Sequence, residues 1–532
     1  MLPALPKLPP IPEEERTPLV VVLLEIVHLQ QEQIQALKDE IAQLKGQKPR
    51  PKIKPSMLEQ ASTQNKGQAD SGGKRPGSAK RSKTQELEIH ETKIVRPDHV
   101  PPGSRFKGYE DYTVQDILLR PHNVRFRVER WETPQGESIV GMLPTRTEGH
   151  FGPTLVSFIL YQYYHAHVTQ PLIWEQLLDL GVDISSGQVN RIIVEGHDEF
   201  HREKDEILRI GLEVSRHVHT DDTGARHQGR NGFCTHIGNE LFAWFSSTGS
   251  KSRINFLELL RAGHNDYVID AVALDYMRAH DLPKSQFDIL SVHAVRVFAD
   301  HTAWIAGLAA LGITAERHVR IATEGALLGS ALTHELNPNV VIMSDDAGQF
   351  DVLQHALCWI HAERGIAKLV GFSEEQRLAL AKVRTQIWDL YADLKAYRAA
   401  PNSASKTLLT SRFDAMVTSP TCFASLNQAL KRLNNKKAEL LLVLERPDTP
   451  LHNNLSESDI REYVKKRKIS GSTRSDEGRR CRDTFTSIKK TCRKLGVSFW
   501  DYLRTRVTGE AGVPRLSELI RRCAQASECA TT

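Results

Sequence analysis

The run Glu213-Val-Ser-Arg-His-Val-His-Thr-Asp-Asp222 alternates in character along its length and ends in two acids. Alternation of period two predicts a β-strand over Val214–Asp221. A second run, Asn339-Val-Val-Ile-Met343, is short, apolar and bounded by Asn, Pro and Ser, and it leads straight into Ser344-Asp345-Asp346. It reads as a buried strand, again tipped by acids. A strand end holds a carboxylate rigidly while exposing it at the sheet edge. Two such strands side by side can bring Asp221 and Asp345 to one place, and a helix packed on the sheet can add a third acid. Glu457 is placed for that role, in the first turn of an expected helix after His452-Asn453-Asn454. Three carboxylates of this kind suit phosphoryl transfer assisted by two Mg²⁺ ions about 3.5–4 Å apart. Hard oxygen ligands fit Mg²⁺ without help from cysteine or histidine.

Each acid also has a plain structural reading. Asp-Asp after a strand commonly opens a turn or caps a helix. Asn454-x-x-Glu457 matches a capping box, in which the glutamate closes on the helix N-terminus. The separations of the acids decide nothing between these readings.

Outward from these points the chain divides by composition. It has 532 residues, more than one hydrophobic core usually supports. Residues 1–18 are proline-rich and read as a disordered tail without the features of a signal peptide. Residues 19–45 carry Val20, Val27, Ile34 and Ile41 every seven positions, with Leu23, Leu37 and Leu44 between. That pattern predicts a coiled-coil helix, and hence a homo-oligomer, or else a helix packed on its parent domain. Its apolar run from Leu19 to Val27 is interrupted by Glu25 and too short to span a bilayer, so no membrane is expected. Residues 46–85 read as a basic disordered linker. Residues 86–148 read as a small β-rich domain, with a strand at Val124-Arg-Phe-Arg-Val128. Residues 149–210 are helical, and Pro171–Leu180, the Gly181 turn and a helix capped by Ser185 outline a helix-turn-helix that could bind DNA. Residues 211–505 hold both acid-tipped strands, with helical insertions at about 263–335 and 374–450. Residues 506–532 read as a C-terminal tail.

Net charge is only +5, so the distribution of charge matters more than its sum. From Arg461 to Lys494 thirteen basic residues face four acidic ones. Arg461, Lys465, Lys466, Arg467, Lys468, Arg479 and Arg480 follow Glu457 closely and are expected to neutralise DNA phosphates, unless the run is a solvated helical face. Seven scattered cysteines without a C-x-x-C pair argue against a disulfide framework and a cysteine-rich zinc site. They fit a reducing cytoplasm. Cys358-Trp359-Ile360-His361 reads locally as core packing.

Together these residues resemble the large-subunit transposase of the insertion-sequence family numbered sixty-six. His219-Thr-Asp-Asp-Thr223 is similar to its first strand end, with Asp222 where Glu is usual. Ser344-Asp345 followed by Cys358-Trp-Ile-His-Ala362 resembles its second Asp and Cys-Trp-x-His-Ala signature. Asn453-Asn-Leu-Ser-Glu457 with Arg461 and Lys466-Arg-Lys468 resembles its Asn-Asn-x-x-Glu helix. The resemblance implies an α/β, RNase H-like mixed-sheet core and a DDE recombinase. Its metal-binding carboxylates would be Asp221, Asp345 and Glu457, holding two Mg²⁺ ions for which Mn²⁺ could substitute. It places Asp222 and His361 near the site. It implies element-end and target DNA as partners, accessory proteins of the same element, and a nucleoid-associated place in the bacterial cytoplasm. The chain departs from the pattern in three places. Glu86–Thr145 lacks the family's zinc-binding cysteines. Gly263–Glu335 is an added helical stretch whose Asp270 and Asp275 compete for the second-ligand position. Arg50-Pro-Lys52 replaces a Phe-Gly motif. An inactive DNA-binding descendant of a transposase, or a structure-selective nuclease, would share much of this sequence.

Overall fold

The computed structural model describes residues 88–143 except 103, 108, 110 and 111, residues 150–529 except 335, and positions 17, 20, 23, 26, 27 and 30. The expected tail, coiled coil and basic linker lie outside the described residues apart from those six positions. The chain forms two units, residues 1–118 and 119–532. In the first, residues 88–118 carry no helix or strand among those described.

The second unit opens with a two-stranded antiparallel ribbon, Arg130–Glu132 against Ser138–Val140. The strand expected at 124–128 pairs with nothing and is exposed. Alternation alone does not make a strand where no partner and no buried face exist. Helices follow at Pro153–Leu160, α1 (Gln170–Asp179), α2 (Ser186–Val194) and α3 (Asp198–Val214). Gly181 sits at φ 80° in the turn between α1 and α2, and the Ser185 hydroxyl accepts from the Gln188 amide at 3.1 Å. The helix–turn–helix outline is therefore present.

Five strands build the central sheet: β1 (His217–Gly224), β2 (Phe233–Gly238), β3 (Ala243–Thr248), β4 (Val341–Ser344) and β5 (Gln354–Leu357). Their spatial order is β3-β2-β1-β4-β5. The first three are antiparallel neighbours, while β1–β4 and β4–β5 are parallel. This mixed sheet with helices around it is consistent with an RNase H-like core. The β2–β3 turn needs Gly238, because a Cβ there would meet the Phe242 carbonyl oxygen at 2.5 Å. β5 has no counterpart in the sequence reading: four residues beginning with Gln and His carry too little pattern to register.

Two helices cover the sheet, α5 (Asn454–Ser470) and α6 (Asp476–Lys494). The second closes the exposed edge of β3. Thr491 accepts from the Ala243 amide at 3.1 Å, Ser487 from Phe245 at 2.9 Å and Asp483 from Ser247 at 2.7 Å. Four helical residues rise about 6 Å, close to the ~6.6 Å of two strand residues. Polar side chains every fourth residue can thus meet every second amide. An edge that would otherwise invite pairing with another chain is satisfied within the fold.

Between β3 and β4 stand five helices, four of which lie within residues 263–335, where the two-stranded ribbon Tyr267–Val268 with Val297–Phe298 joins them. Between β5 and α5 come α4 (Trp359–Ala367) and the helices Glu374–Ala399, Ser403–Thr418 and Ala424–Asn435. These share a second apolar core that includes Trp359, Ile387, Leu394, Phe413 and Leu426. The expected C-terminal tail is corrected. Helices Phe499–Thr508 and Leu516–Cys529 occupy it, with Leu516 and Ile520 fully buried and Arg515 and Arg521 paired to Glu206 and Glu213 of α3. The break at Gly509–Pro514 hid the short amphipathic repeat that follows. Among the described residues no helix is long and apolar enough to cross a membrane.

Candidate active site

β1 carries Asp221 and Asp222, and β4 leads into Asp345. Register places His217, Val218 and His219 opposite Val341, Ile342 and Met343. Continued two residues further, the same offset sets Asp221 beside Asp345. The Asp345 Oδ1 accepts from the Ala347 amide at 3.1 Å, a turn that starts where the strand stops.

Asn453 positions the third acid. Its Nδ2 donates to the Thr220 carbonyl oxygen at 2.7 Å, and its Oδ1 lies 3.0 Å from His219 Nδ1. The amide orientation makes His219 Nδ1 the donor, which fits a buried imidazole held well below its usual pKa by loss of water. The Asn453 backbone amide meets Cys358 Sγ at 3.2 Å, and the Trp359 amide donates to Leu451 at 3.0 Å. The start of α5 is thereby fixed to β1 and to the start of α4, and Glu457 is carried to the end of β1. The capping-box reading of Glu457 is not realised. Asn453 is the N-cap, no side chain closes it, and the Glu457 carboxylate faces Arg364 at 3.2 Å, His361 at 3.6 Å and Arg461 at 3.6 Å. Arg364 escaped the sequence reading. The signal was its place three residues after His361 on one helical face.

Burial pushes the Asp221 carboxyl up to about 7, with Asp345, Asp222 and Glu457 adding to the rise against a hydrogen bond from the Asp222 amide. Burial is the main cause, and the neighbouring acids add to it. Asp222 is already engaged, accepting from the Thr235 hydroxyl and from Gln349 Nε2 at 2.9 Å. Asp346 is exposed, 3.7 Å from Lys436. Asp270 caps helix Ala271–Ala279 and Asp275 pairs with Arg278, so neither competes for the site. Asp221, Asp345 and Glu457 do not close to within 4.8 Å of one another as ligands of a single ion would. A pair of ions spans a wider set. A cluster of carboxylate donors of which only Glu457 meets cationic side chains suits divalent cations, and Asp221, Asp345 and Glu457 are the residues that would hold them.

The basic run is less outward-facing than its sequence suggests. Arg461, Lys465, Lys468 and Arg480 are exposed. Arg467 reaches back to the Gly224 carbonyl oxygen and the Thr223 hydroxyl, and Arg479 pairs with Asp476. Lys466 departs from the expectation. It is 3% exposed, its Nζ donates to the Tyr163 carbonyl oxygen at 2.7 Å and lies 3.3 Å from the Tyr163 ring centroid, and burial lowers its pKa to about 7. Lys489 is spent on Glu462, and Lys490 and Lys494 on Asp459, inside the α5–α6 contact. Helical periodicity turns part of any long basic run inward, and buried acids receive it.

Asn453→Ala is expected to cost about 1–3 kcal/mol, because it leaves the buried Thr220 carbonyl and His219 imidazole without partners. A urea midpoint lowered at unchanged slope would show it.

Comparison with known proteins bears on the same residues. A model of the transposase IS66 family matches residues 329–480, a span that contains Asp345, Cys358–Ala362 and Glu457. Uncharacterized protein y4jO of Sinorhizobium fredii is 42% identical over 312 residues, covering 58% of this chain and 97% of that protein. With the sheet, the acid-tipped strands and these matches, the chain belongs to the IS66 family of transposases.

Proposed function

We propose that the chain is a DDE-type transposase that cleaves DNA at the ends of its own insertion sequence and joins those ends to target DNA. The observation that carries the proposal is the parallel register of β1 with β4, which sets Asp221 beside Asp345, with Asn453 fixing the Glu457 helix to β1; burial, and secondarily these acids, raises the Asp221 carboxyl to about 7. Folding has gathered acids where their mutual repulsion is costly, a cost common at functional sites. Two divalent ions, Mg²⁺ or Mn²⁺, would supply activation of the attacking oxygen and stabilisation of the leaving one. Asp221, Asp345 and Glu457 hold that charge in place. Arg364 and His361 fix the Glu457 carboxylate. Exposed Arg461, Lys465, Lys468 and Arg480 give the anionic strands a neutralising margin beside the site. The reaction runs in two displacements. Water attacks the end phosphodiester and releases a 3′-hydroxyl; that hydroxyl then attacks a target phosphodiester and displaces the target strand's own 3′-hydroxyl. No bond forms between protein and DNA. A homo-oligomer and accessory proteins of the element complete the assembly.

The test uses duplexes carrying the element's terminal inverted repeats. Nicking at the repeat boundary and strand transfer, both dependent on Mg²⁺ or Mn²⁺, are expected. Specific end binding without cleavage would establish a catalytically inactive DNA-binding protein instead. Cleavage indifferent to the repeats would establish a structure-selective nuclease.

A further inference from the structure

We propose that His264, Asp266 and His334 form a binding site for a divalent transition ion of the zinc type, clasping the two ends of the helical insertion between β3 and β4. One ligand atom from each of the three lies within 4.8 Å of the others. The His264 and His334 rings stack 3.5 Å apart and within 2° of parallel, so an ion bound by both would turn one ring out of the stack to bring its in-plane lone pair to the metal. His334 Nε2 is hydrogen-bonded to the Asp266 carboxylate, both oxygens 2.9 Å away, and an ion bound here would replace that bond. Two imidazoles and one carboxylate, with His264 exposed to solvent for a water ligand, make a donor set suited to zinc rather than to magnesium.

The surroundings are built for it. Asp266 Oδ1 accepts from the Ser330 hydroxyl at 3.0 Å, and Ser330 is fully buried. Arg261 donates to the Asp266 carbonyl oxygen at 2.8 Å. Such outer contacts orient a ligating carboxylate. His264 follows a turn in which Ala262 stands at φ 51° and Gly263 at φ 96°. These two residues end helix Arg253–Leu260 and reverse the chain before His264.

Position gives the cluster its use. His264 and Asp266 stand at the entrance of the insertion, and His334 caps its last helix, Glu316–Thr333. Three residues on, Asn337 Nδ2 donates to the Ser215 carbonyl oxygen at 2.8 Å and returns the chain to the sheet. An ion here closes the whole insertion as one loop, and closing a long loop removes much freedom from the unfolded chain. Two other clusters are less suited. Asp351, His355 and Glu439 surround the Lys436 ammonium, which lies 3.0 Å from Glu439 and 3.8 Å from Asp351 and is the cation of that site. In the group His217, His219 and Glu240, His219 is 2% exposed and bonded to Asn453.

The test is titration of the chelator-treated full chain with Zn²⁺, and with Co²⁺ as a spectroscopic probe, in excess Mg²⁺. One tightly held equivalent is expected, with the visible absorption of four-coordinate Co²⁺ and a rise in melting temperature of about 5 °C near 100-fold excess over Kd. His264→Ala, at an exposed position, and His334→Ala should lose all three signals. Ser330→Ala should weaken the affinity about 10–100-fold by freeing the carboxylate. Equal binding by the parent and His264→Ala overturns the assignment. So does loss only in His217→Ala, or no retained equivalent. DNA cleavage is not the readout, so the result stands apart from the fate of the transposase proposal.

Discussion

Asp345→Asn should abolish cleavage of element ends and strand transfer alike, while end DNA is bound as before. The substitution keeps the size of the side chain and its place in the turn that begins at Asp345, where the Oδ1 atom accepts from Ala347. What it removes is one negative charge between Asp221 and Glu457. Charge stabilisation by a held metal ion is worth several kcal/mol in such reactions. At 1.36 kcal/mol per decade, the loss is on the order of 10³-fold in rate. The exposed cations of α5 and α6 are untouched, so end-DNA affinity should stay within about twofold. Asp346→Asn is the matched control. It lies one residue away, is exposed and sits 3.7 Å from Lys436, so its rate should be near that of the parent. A single-turnover assay on inverted-repeat duplexes, with a gel-shift measurement beside it, separates the two quantities. Full activity in Asp345→Asn would remove this residue from the site.

The sequence made β4 legible because it is a short apolar run that stops on acid, whereas the expected strand Val214–Asp221 is displaced: Val214 still belongs to α3, and β1 runs from His217 through both acids to Gly224. It made the insertions legible because helical periodicity persists over tens of residues. It could not show which face of α5 meets the sheet. That is decided by Asn453 bonding to Thr220 and His219, more than two hundred residues away in the chain. The same blindness assigned Lys466 to DNA, when the turn of the helix puts it against Tyr163. β5 and the C-terminal helix Leu516–Cys529 were missed as well. The strand is four residues long and takes its stability from its neighbours, while the helix follows the Gly509–Pro514 break and reads in the sequence as part of a tail.

Asp221→Asn should make the protein more stable at pH 8 and nearly unchanged at pH 4, measured without divalent ions. The Asp221 carboxyl is raised from 3.8 to about 7 in the fold. A raised folded-state value means that between pH 3.8 and 7 the native protein holds a proton that the unfolded chain has released. The contribution is therefore fully present below pH 3.8 and is lost as pH climbs through about 7. Above that the native state carries the unrelieved carboxylate. Three units at 1.36 kcal/mol each come to about 4 kcal/mol, and screening by water at this half-buried site brings the range to about 2–4 kcal/mol. Asparagine mimics the protonated side chain and removes the penalty. A higher melting temperature at pH 8 should follow, by about 5–10 °C, shrinking steadily towards pH 4. Mg²⁺ should raise the melting temperature of the parent at pH 8 and do so far less for the variant, because the charge that recruits it is gone. The variant should not cleave DNA. If its stability gain is the same at both pH values, the Asp221 carboxyl is not raised in the fold, and its burial at an acid-lined site fails with it.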